Sequence, residues 1–181
     1  MRNFVYVTSH PLKAERLGLH LKQKVEHRNV DLEEIQSLDV TEVVRHKAQL
    51  AHQIIGKPVL VEDYSLQIHG IGNLPGPLVK WFMQALGPQG LSKLLNSIKD
   101  RSATTQVAMA YCGGTETEVF LGERKGTIAT EPRGKEQWGP DTLFIPNGWD
   151  KTWAEMNEQE QIETSVRRLA VAQLETFLRS P

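Results

Sequence analysis

The chain has 181 residues, and its 21 Lys and Arg against 22 Asp and Glu give a formal net charge of −1, so we do not expect it to bind nucleic acid through a general basic field. Its single cysteine, Cys112, excludes an internal disulfide and a zinc site made of several cysteines. No stretch reaches the roughly 18 apolar residues that span a bilayer, and the apolar run at residues 4–7 is too short for a signal peptide, so we expect a cytoplasmic protein that does not enter membranes.

The first third of the chain predicts alternating strands and helices. Aromatic and β-branched runs indicate strands, whereas Val44, Ala48, Ala51 and Ile55 share one face at helical spacing. The predicted order is strand 3–8, helix 13–24, strand 27–32, helix 41–55 and strand 58–62.

The remainder adds a loop rich in glycine and proline, two short helices and a more β-rich region. Gly113 and Gly114 separate two strand-like runs and indicate a hairpin. The predicted order is loop 70–77, helices 79–86 and 90–98, strands 103–112, 117–122 and 125–129, loop 137–149 and helix 157–178. The sequence therefore predicts a mixed α/β fold.

The first candidate site lies where the first strand meets the first helix, in Thr8-Ser9-His10-Pro11-Leu12-Lys13. Hydroxyls, backbone N–H groups and a lysine at such a junction suit a phosphate chain. The segment lacks the glycines of a P-loop. An ordinary helix start is the alternative interpretation.

Two acidic pairs, Glu33–Glu34 and Glu62–Asp63, each lie near the end of a predicted strand. Ligands of open α/β sheets gather at the carboxyl ends of strands, and two carboxylates meeting there suit Mg²⁺. Two solvated acidic turns are the alternative.

The third candidate combines Trp138-Gly139-Pro140-Asp141 with Arg167 and Arg168. An aromatic ring, a carboxylate and an arginine together suit a nucleobase. The alternative is a tryptophan that anchors a loop, with surface arginines on the last helix.

Taken together, these segments resemble the inosine triphosphate pyrophosphatases nearly end to end. The most specific matches are VLVED, NLPGP and VKWF, which occupy residues 59–63, 73–77 and 79–82. Further matches are residues 31–36, 132–134 and 150–156. The resemblance implies Mg²⁺-dependent hydrolysis of a nucleoside triphosphate to the monophosphate and pyrophosphate. It also implies a homodimer whose single domain, residues 1–181, is an elongated, bent mixed sheet flanked by helices, with two lobes and a central cleft.

The resemblance also implies a role for individual residues. Asp63 matches the catalytic aspartate, and Glu34 with Asp63 matches the metal-linked carboxylates. The positions implied to bind the substrate phosphates are Thr8, Ser9, His10, Lys13, Lys47 and Tyr64. The positions implied to bind the base are Trp138, Gly139, Pro140, Asp141, Gln161 and Arg167, the last of which would contact the purine 6-oxo group.

Several residues in the motifs differ from those of the resembled family. Ser9 stands for a glycine, Tyr64 for a small residue, Gln161 for a lysine and Val166 for a histidine. The retained residues favour a working hydrolase of deaminated purine nucleotides. The departures favour the alternative, a diverged paralogue that binds a nucleotide or a protein partner with little catalysis.

Overall fold

The computed structural model of the protein describes residues 2–114, 116–135 and 139–180. The chain divides into two compact units, each built from several segments. Unit 1 comprises Met1–Asp63, Val107–Gly122 and Arg167–Pro181, and unit 2 comprises Tyr64–Gln106 and Glu123–Val166. Within the described residues, no helix has the length and hydropathy needed to cross a bilayer.

The described residues form seven strands: β1 (Val5–Val7), β2 (Glu26–Arg28), β3 (Val59–Ile68), β4 (Leu74–Gly76), β5 (Ser102–Cys112), β6 (Thr117–Ile128) and β7 (Phe144–Pro146). They make a mixed, open sheet in the order β2-β1-β3-β5-β6-β7, with β4 paired to β3. β1 lies parallel to β2 and β3, whereas β4 and β7 pair antiparallel with β3 and β6.

The helices of the described chain begin and end where local chemistry favours it. The Asp39 side chain accepts a hydrogen bond from the Thr41 amide at 2.8 Å, and Gly56 ends the same helix with a φ of 68°. Pro11 occupies the first turn of the first helix, where its missing N–H does no harm. The helices are α1 (Pro11–Leu21), α2 (Val40–Ile55), α3 (Val79–Leu94), α4 (Glu158–Thr164) and α5 (Val166–Arg179).

The core of unit 1 packs one face of α2 against β1, β3 and β5. Val44, Ala48 and Ala51 of α2 are completely buried, as their spacing predicted. Val59 and Val61 of β3 meet this face and are also completely buried. Each such valine stabilises the fold by about 1.5–3 kcal/mol relative to full exposure. Cys112, a free cysteine, is buried in the same cluster.

Unit 2 has a separate core around α3. Leu91 of α3 packs with the end of β3 and with Leu143 and Phe144 beside β7. The ring of Trp153 lies 4.5 Å from that of Phe144 between centroids, which extends the cluster to the chain before α4. The two cores thus fix β3 at both of its ends, since Val59 and Val61 belong to one and Leu66 and Ile68 to the other.

Strand β3 corrects two predictions. It does not end at residue 62 but continues to Ile68, because Leu66–Ile68 pair with Leu74–Gly76. Asp63 therefore lies inside a strand, and the predicted position of Glu62–Asp63 at a strand end is wrong. The predicted loop 70–77 is wrong over Leu74–Gly76 for the same reason.

The other acidic pair is also placed differently. Strand β2 ends at Arg28 instead of residue 32, and Glu33 and Glu34 lie in an irregular segment before α2. This segment is free to bring Glu34 to α2 because it belongs to no strand.

The second half of the chain differs from prediction in its breaks. β6 runs without interruption over residues predicted as two strands, and β7 lies within the predicted loop 137–149. The predicted helix 157–178 is interrupted at Ser165, which has extended backbone angles (φ −62°, ψ 117°). The predicted break between two helices at Gly87 is confirmed, since its φ is 64° and ψ is 177°, but the second ends at Leu94 instead of residue 98.

Candidate active site

The chain between β1 and α1 is an exposed corner, as expected for a segment that meets a ligand. The amide of His10 donates to Oγ1 of Thr8 at 3.1 Å, and the Lys13 amide donates to the His10 carbonyl at 3.0 Å. These bonds fold residues 8–13 into a turn that leads into α1. Ser9 and His10 are exposed, and Thr8 and Lys13 are partly exposed.

A buried carboxylate lies behind this corner. Glu62 accepts hydrogen bonds from Nζ of Lys13 at 2.8 Å and from Nε of Arg167 at 2.6 Å. The hydroxyl of Tyr6 donates to the same carboxylate at 2.9 Å. We call these four residues, Tyr6, Lys13, Glu62 and Arg167, the Glu62 cluster. It links β1, the first turns of α1 and α5, and β3 within unit 1.

A second cluster lies on α2. Nζ of Lys47 lies 2.5 Å from Oε1 of Glu34 and 3.1 Å from Oδ2 of Asp63. The side chains of Lys47 and Asp63 are 16% and 17% exposed, whereas that of Glu34 is 40% exposed. We call these three residues the Lys47 cluster. It brings together Glu34, Lys47 and Asp63, which the sequence had predicted to share a site.

The two clusters lie on opposite faces of β3. Successive side chains of a strand point to opposite faces, so Glu62 and Asp63 cannot serve the same partners. Asp63 shares the α2 face with Val59 and Val61, and Glu62 meets α1 and α5 on the other. From the sequence, Glu62 was predicted only as part of the acidic Glu62–Asp63 pair that suits Mg²⁺, and Tyr6 was given no role. The signal available was the alternation along the strand.

The charges of the Glu62 cluster stabilise one another. Burial raises the pKa of Glu62, but Arg167 and Lys13 together lower it by more than burial raises it, and the result is a pKa of about 2. Burial alone would lower the pKa of Arg167, yet Glu62 raises it above its ordinary value. Burial and the nearby Glu62 charge raise the pKa of Tyr6. The cluster therefore holds an ionised carboxylate, two cations and a neutral phenol at neutral pH.

Lys47 is likewise held as a cation. Burial lowers the pKa of its ammonium group, but Asp63 and Glu34 raise it above the ordinary value. Together the two clusters contain three cations and three carboxylates, so their charges cancel at neutral pH.

Unit 2 contains a different arrangement around Tyr64, which packs against the core of that unit. Burial raises the pKa of Tyr64, and the nearby Thr105 hydroxyl and Asp141 carboxyl modify it. Burial also raises the pKa of Asp141 to about 6. Among the described residues of unit 2, a desolvated carboxyl thus lies near a buried phenol.

The other predicted base-binding residues of unit 2 are packed into its structure. Pro140 is buried in a short 3₁₀ segment, Gly139–Thr142, and a Cβ added to Gly139 would lie 2.6 Å from the Met83 sulfur. Nε2 of Gln161 donates to the carbonyls of Trp153 and Met156 at 3.1 and 3.3 Å. Trp138 lies outside the described residues.

The predicted site residues are therefore distributed between the units. Unit 1 contains eight of them, namely Thr8, Ser9, His10, Lys13, Glu34, Lys47, Asp63 and Arg167. The side chains of Lys13, Glu34, Lys47, Asp63 and Arg167 belong to the two clusters on β3, whereas residues 8–10 form the exposed corner before α1. Unit 2 contains Tyr64, Gly139, Pro140, Asp141 and Gln161. Their predicted contacts with phosphate or base remain predictions.

Comparison with known proteins identifies the family. A model described as Ham1 family matches residues 4–177. The chain is 42% identical to an inosine triphosphate pyrophosphatase of Yarrowia lipolytica over 82% of this chain and 79% of that one. It is 37% identical to a dITP/XTP pyrophosphatase of Saccharolobus solfataricus over 92% of this chain and 90% of that one.

Solved structures agree on the fold. The Ham1 protein of Staphylococcus aureus superposes with a TM-score of 0.83 at 22% identity, over 98% of both chains. A HAM1 protein from Coxiella burnetii gives a TM-score of 0.81 at 25% identity, again over 98% of both chains. The predicted α/β fold and the predicted resemblance are both confirmed. The chain belongs to the Ham1 family.

Proposed function

We propose that the protein hydrolyses deaminated purine nucleoside triphosphates, of the inosine or xanthosine type, to the monophosphate and pyrophosphate, with Mg²⁺ as cofactor. Such an enzyme removes damaged nucleotides from the cell's pool. The observation that carries the proposal is that adjacent residues of β3 hold two clusters of charged side chains, the Lys47 cluster on one face of the strand and the Glu62 cluster on the other. The names of the relatives, inosine triphosphate pyrophosphatase and dITP/XTP pyrophosphatase, favour hydrolysis over the alternative of a binding protein.

The Lys47 cluster fits a magnesium ion in its donor chemistry. Glu34 and Asp63 offer only carboxylate oxygens, and both already meet a single cation. Mg²⁺ prefers oxygen ligands and is commonly held by one or two carboxylates together with substrate phosphates. Among the described residues, no group of three or more His, Cys, Asp or Glu could hold a metal. When bound, Mg²⁺ would neutralise phosphate charge.

The cations of the chain would hold the triphosphate. Lys13 lies at the start of α1 with its side chain 45% exposed, so its ammonium group can meet a ligand while it also binds Glu62. The turn at residues 8–10 adds hydroxyls and backbone N–H groups at the same helix start. Lys47 would supply a further positive charge. Phosphoryl transfer depends mainly on such positioning and neutralisation.

Asp63 would act on the attacking water. A carboxylate within hydrogen-bond reach can orient a water molecule and accept its proton. The water oxygen forms a bond to the α-phosphorus, and the bond from that phosphorus to the bridging oxygen breaks. The bond electrons leave with pyrophosphate, and the proton passes to Asp63.

Selection of the base would depend on donors to the 6-oxo group. Arg167 is the candidate in unit 1, and its side chain remains 25% exposed while it binds Glu62. An adenine amino group would leave such a donor unpaired, at a cost of about 1–3 kcal/mol. Asp141 and its neighbours in unit 2 are the remaining candidates for contact with the base.

The homodimer and the cytoplasmic location that the resemblance implies are part of the proposal as well.

The proposal is tested by incubating the protein and Asp63→Asn with Mg²⁺ and a panel of inosine, xanthosine and standard nucleoside triphosphates. Pyrophosphate release should favour the inosine and xanthosine substrates and should be lost in the variant. No release above that of Asp63→Asn would reject the enzyme. Equal release from every triphosphate would reject the proposed base selection.

A further inference from the structure

We infer that Glu62 is a positioning residue that holds the phosphate-binding Lys13 and the base-binding Arg167 on a single buried carboxylate. The inference rests on the proposed function, because that function gives both cations a ligand. It gives Glu62 a role other than the metal ligation considered for the Glu62–Asp63 pair, and it adds the supporting phenol of Tyr6.

The first argument is geometric. Each carboxylate oxygen of Glu62 meets a different cation, Oε1 with Lys13 at 2.8 Å and Oε2 with Arg167 at 2.6 Å. Tyr6 donates to Oε2 at 2.9 Å and is completely buried, so it fixes the carboxylate from the core side. Movement of Glu62 would displace both cations.

Glu62 is much less accessible to a ligand than the two cations that it contacts. The Glu62 side chain is 8% exposed, whereas those of Lys13 and Arg167 are 45% and 25% exposed. A ligand can therefore reach the two cations and cannot readily reach the carboxylate between them. Glu62 would act through Lys13 and Arg167 and would not touch the substrate.

The Glu62 cluster carries a net positive charge. Two cations face one carboxylate in the Glu62 cluster, which leaves one surplus positive charge for an anionic ligand. Separation of the buried Glu62 carboxylate from its cations would be costly, so the arrangement is maintained only when all partners keep their positions. The cluster is therefore both cationic and rigid, as a site for a polyphosphate requires.

The test compares the full-length protein with Glu62→Gln, which keeps the side-chain shape and removes the charge. Affinity for inorganic triphosphate is measured by calorimetry in EDTA, and kcat and KM are measured with inosine triphosphate and Mg²⁺. Glu62→Gln should bind inorganic triphosphate no more weakly, since a negative charge has been removed. Its kcat should fall about 10- to 100-fold, since the cations are misplaced.

Two further variants complete the design. Tyr6→Phe keeps every charge and loses the hydroxyl that donates to Glu62 and accepts from Nη2 of Arg167 at 3.4 Å. It should therefore lower kcat by less than Glu62→Gln and leave triphosphate affinity unchanged. Glu26→Gln removes the carboxylate of an exposed ion pair with Arg28 on β2, and it should leave both quantities unchanged. If Glu62→Gln does not fold, Tyr6→Phe takes its place in the test, and an unchanged kcat in Tyr6→Phe would then overturn the inference.

A spectroscopic measurement separates this inference from the proposed function. The Arg167 Nε–H should give a slowly exchanging NMR signal in the wild type without nucleotide, and Glu62→Gln should lose it. Absence of hydrolysis in the wild type would reject the proposed function, while this signal and triphosphate binding would still test Glu62. An unchanged kcat in folded Glu62→Gln, or a parallel loss of triphosphate affinity and thermal stability, would overturn the inference.

Discussion

Replacement of Lys47 by methionine separates the two carboxylates of the Lys47 cluster from their shared cation. Methionine keeps most of the apolar length of the lysine side chain and removes its charge. Glu34 and Asp63 would then lose the cation they share, and a bound divalent cation would replace its charge. The variant should therefore be less stable without metal and more responsive to Mg²⁺ than the wild type.

The magnitude follows from the distances. The carboxylate oxygens lie 2.5 and 3.1 Å from the same Nζ atom, which places them within about 6 Å of each other. At that separation, two like charges repel by about 3 kcal/mol at an effective dielectric constant of about 20. Glu34 is 40% exposed, so solvent screening reduces the expected loss of stability to about 1–2 kcal/mol.

The assay is urea unfolding of the wild type and Lys47→Met in excess EDTA or excess Mg²⁺. Mg²⁺ should restore most of the stability that the variant loses, because a ligand of the folded state raises its unfolding free energy. Lys151→Met is the matched control, since Lys151 forms an ion pair with a single carboxylate among the described residues, that of Glu160 at 2.7 Å in unit 2. An equal Mg²⁺ response in all three proteins would refute the assigned metal position.

Three other predictions concern stability. Burial raises the pKa of Asp141 from 3.8 to about 6, so its contribution to stability is present below the ordinary pKa and is lost as the pH rises through about 6. Urea unfolding should show about 3 kcal/mol of this loss in the wild type and none in Asp141→Asn. The pH dependence of stability is opposite for Glu62, since Arg167 and Lys13 outweigh burial and lower its pKa from 4.5 to about 2. The stability that Glu62 contributes is present above its ordinary pKa and should be lost as the pH falls through about 2, and Glu62→Gln should not show this loss. Gly134→Ala should lower the thermal midpoint of unfolding more than Gly148→Ala. Both glycines have a positive φ, but a Cβ at position 134 would lie 2.5 Å from a backbone atom of Ala154, whereas a Cβ at position 148 would meet nothing within 4 Å. Equal effects of the two substitutions would contradict this steric reason.

Elements defined by their own side chains could be predicted from the sequence. Helix α2 was predicted at residues 41–55 and extends over Val40–Ile55, because its apolar stripe, its Asp39 cap and Gly56 are all local signals. The extension of β3 to Ile68 was not predictable in the same way, because it depends on pairing with Leu74–Gly76. The interruption at Ser165 carries neither glycine nor proline as a signal.

The site follows the same division. The resemblance implied that Glu34, Lys47 and Asp63 belong to one site, and their side chains lie together, while their roles toward metal and phosphate stay predictions. The Glu62 cluster was missed because its contacts are remote in sequence: Lys13 and Glu62 differ by 49 in residue number, and Glu62 and Arg167 by 105. Strand alternation could have placed Glu62 on the face away from Asp63, but only the fold shows which helices cover that face.

The central claim is that water attacks the α-phosphorus and pyrophosphate leaves. It is tested most directly by hydrolysis of inosine triphosphate in water enriched in ¹⁸O with Mg²⁺, followed by mass spectrometry of both products. The account predicts that one ¹⁸O atom enters the inosine monophosphate and none enters the pyrophosphate. Label in the pyrophosphate, or release of inosine diphosphate and phosphate instead, would contradict it.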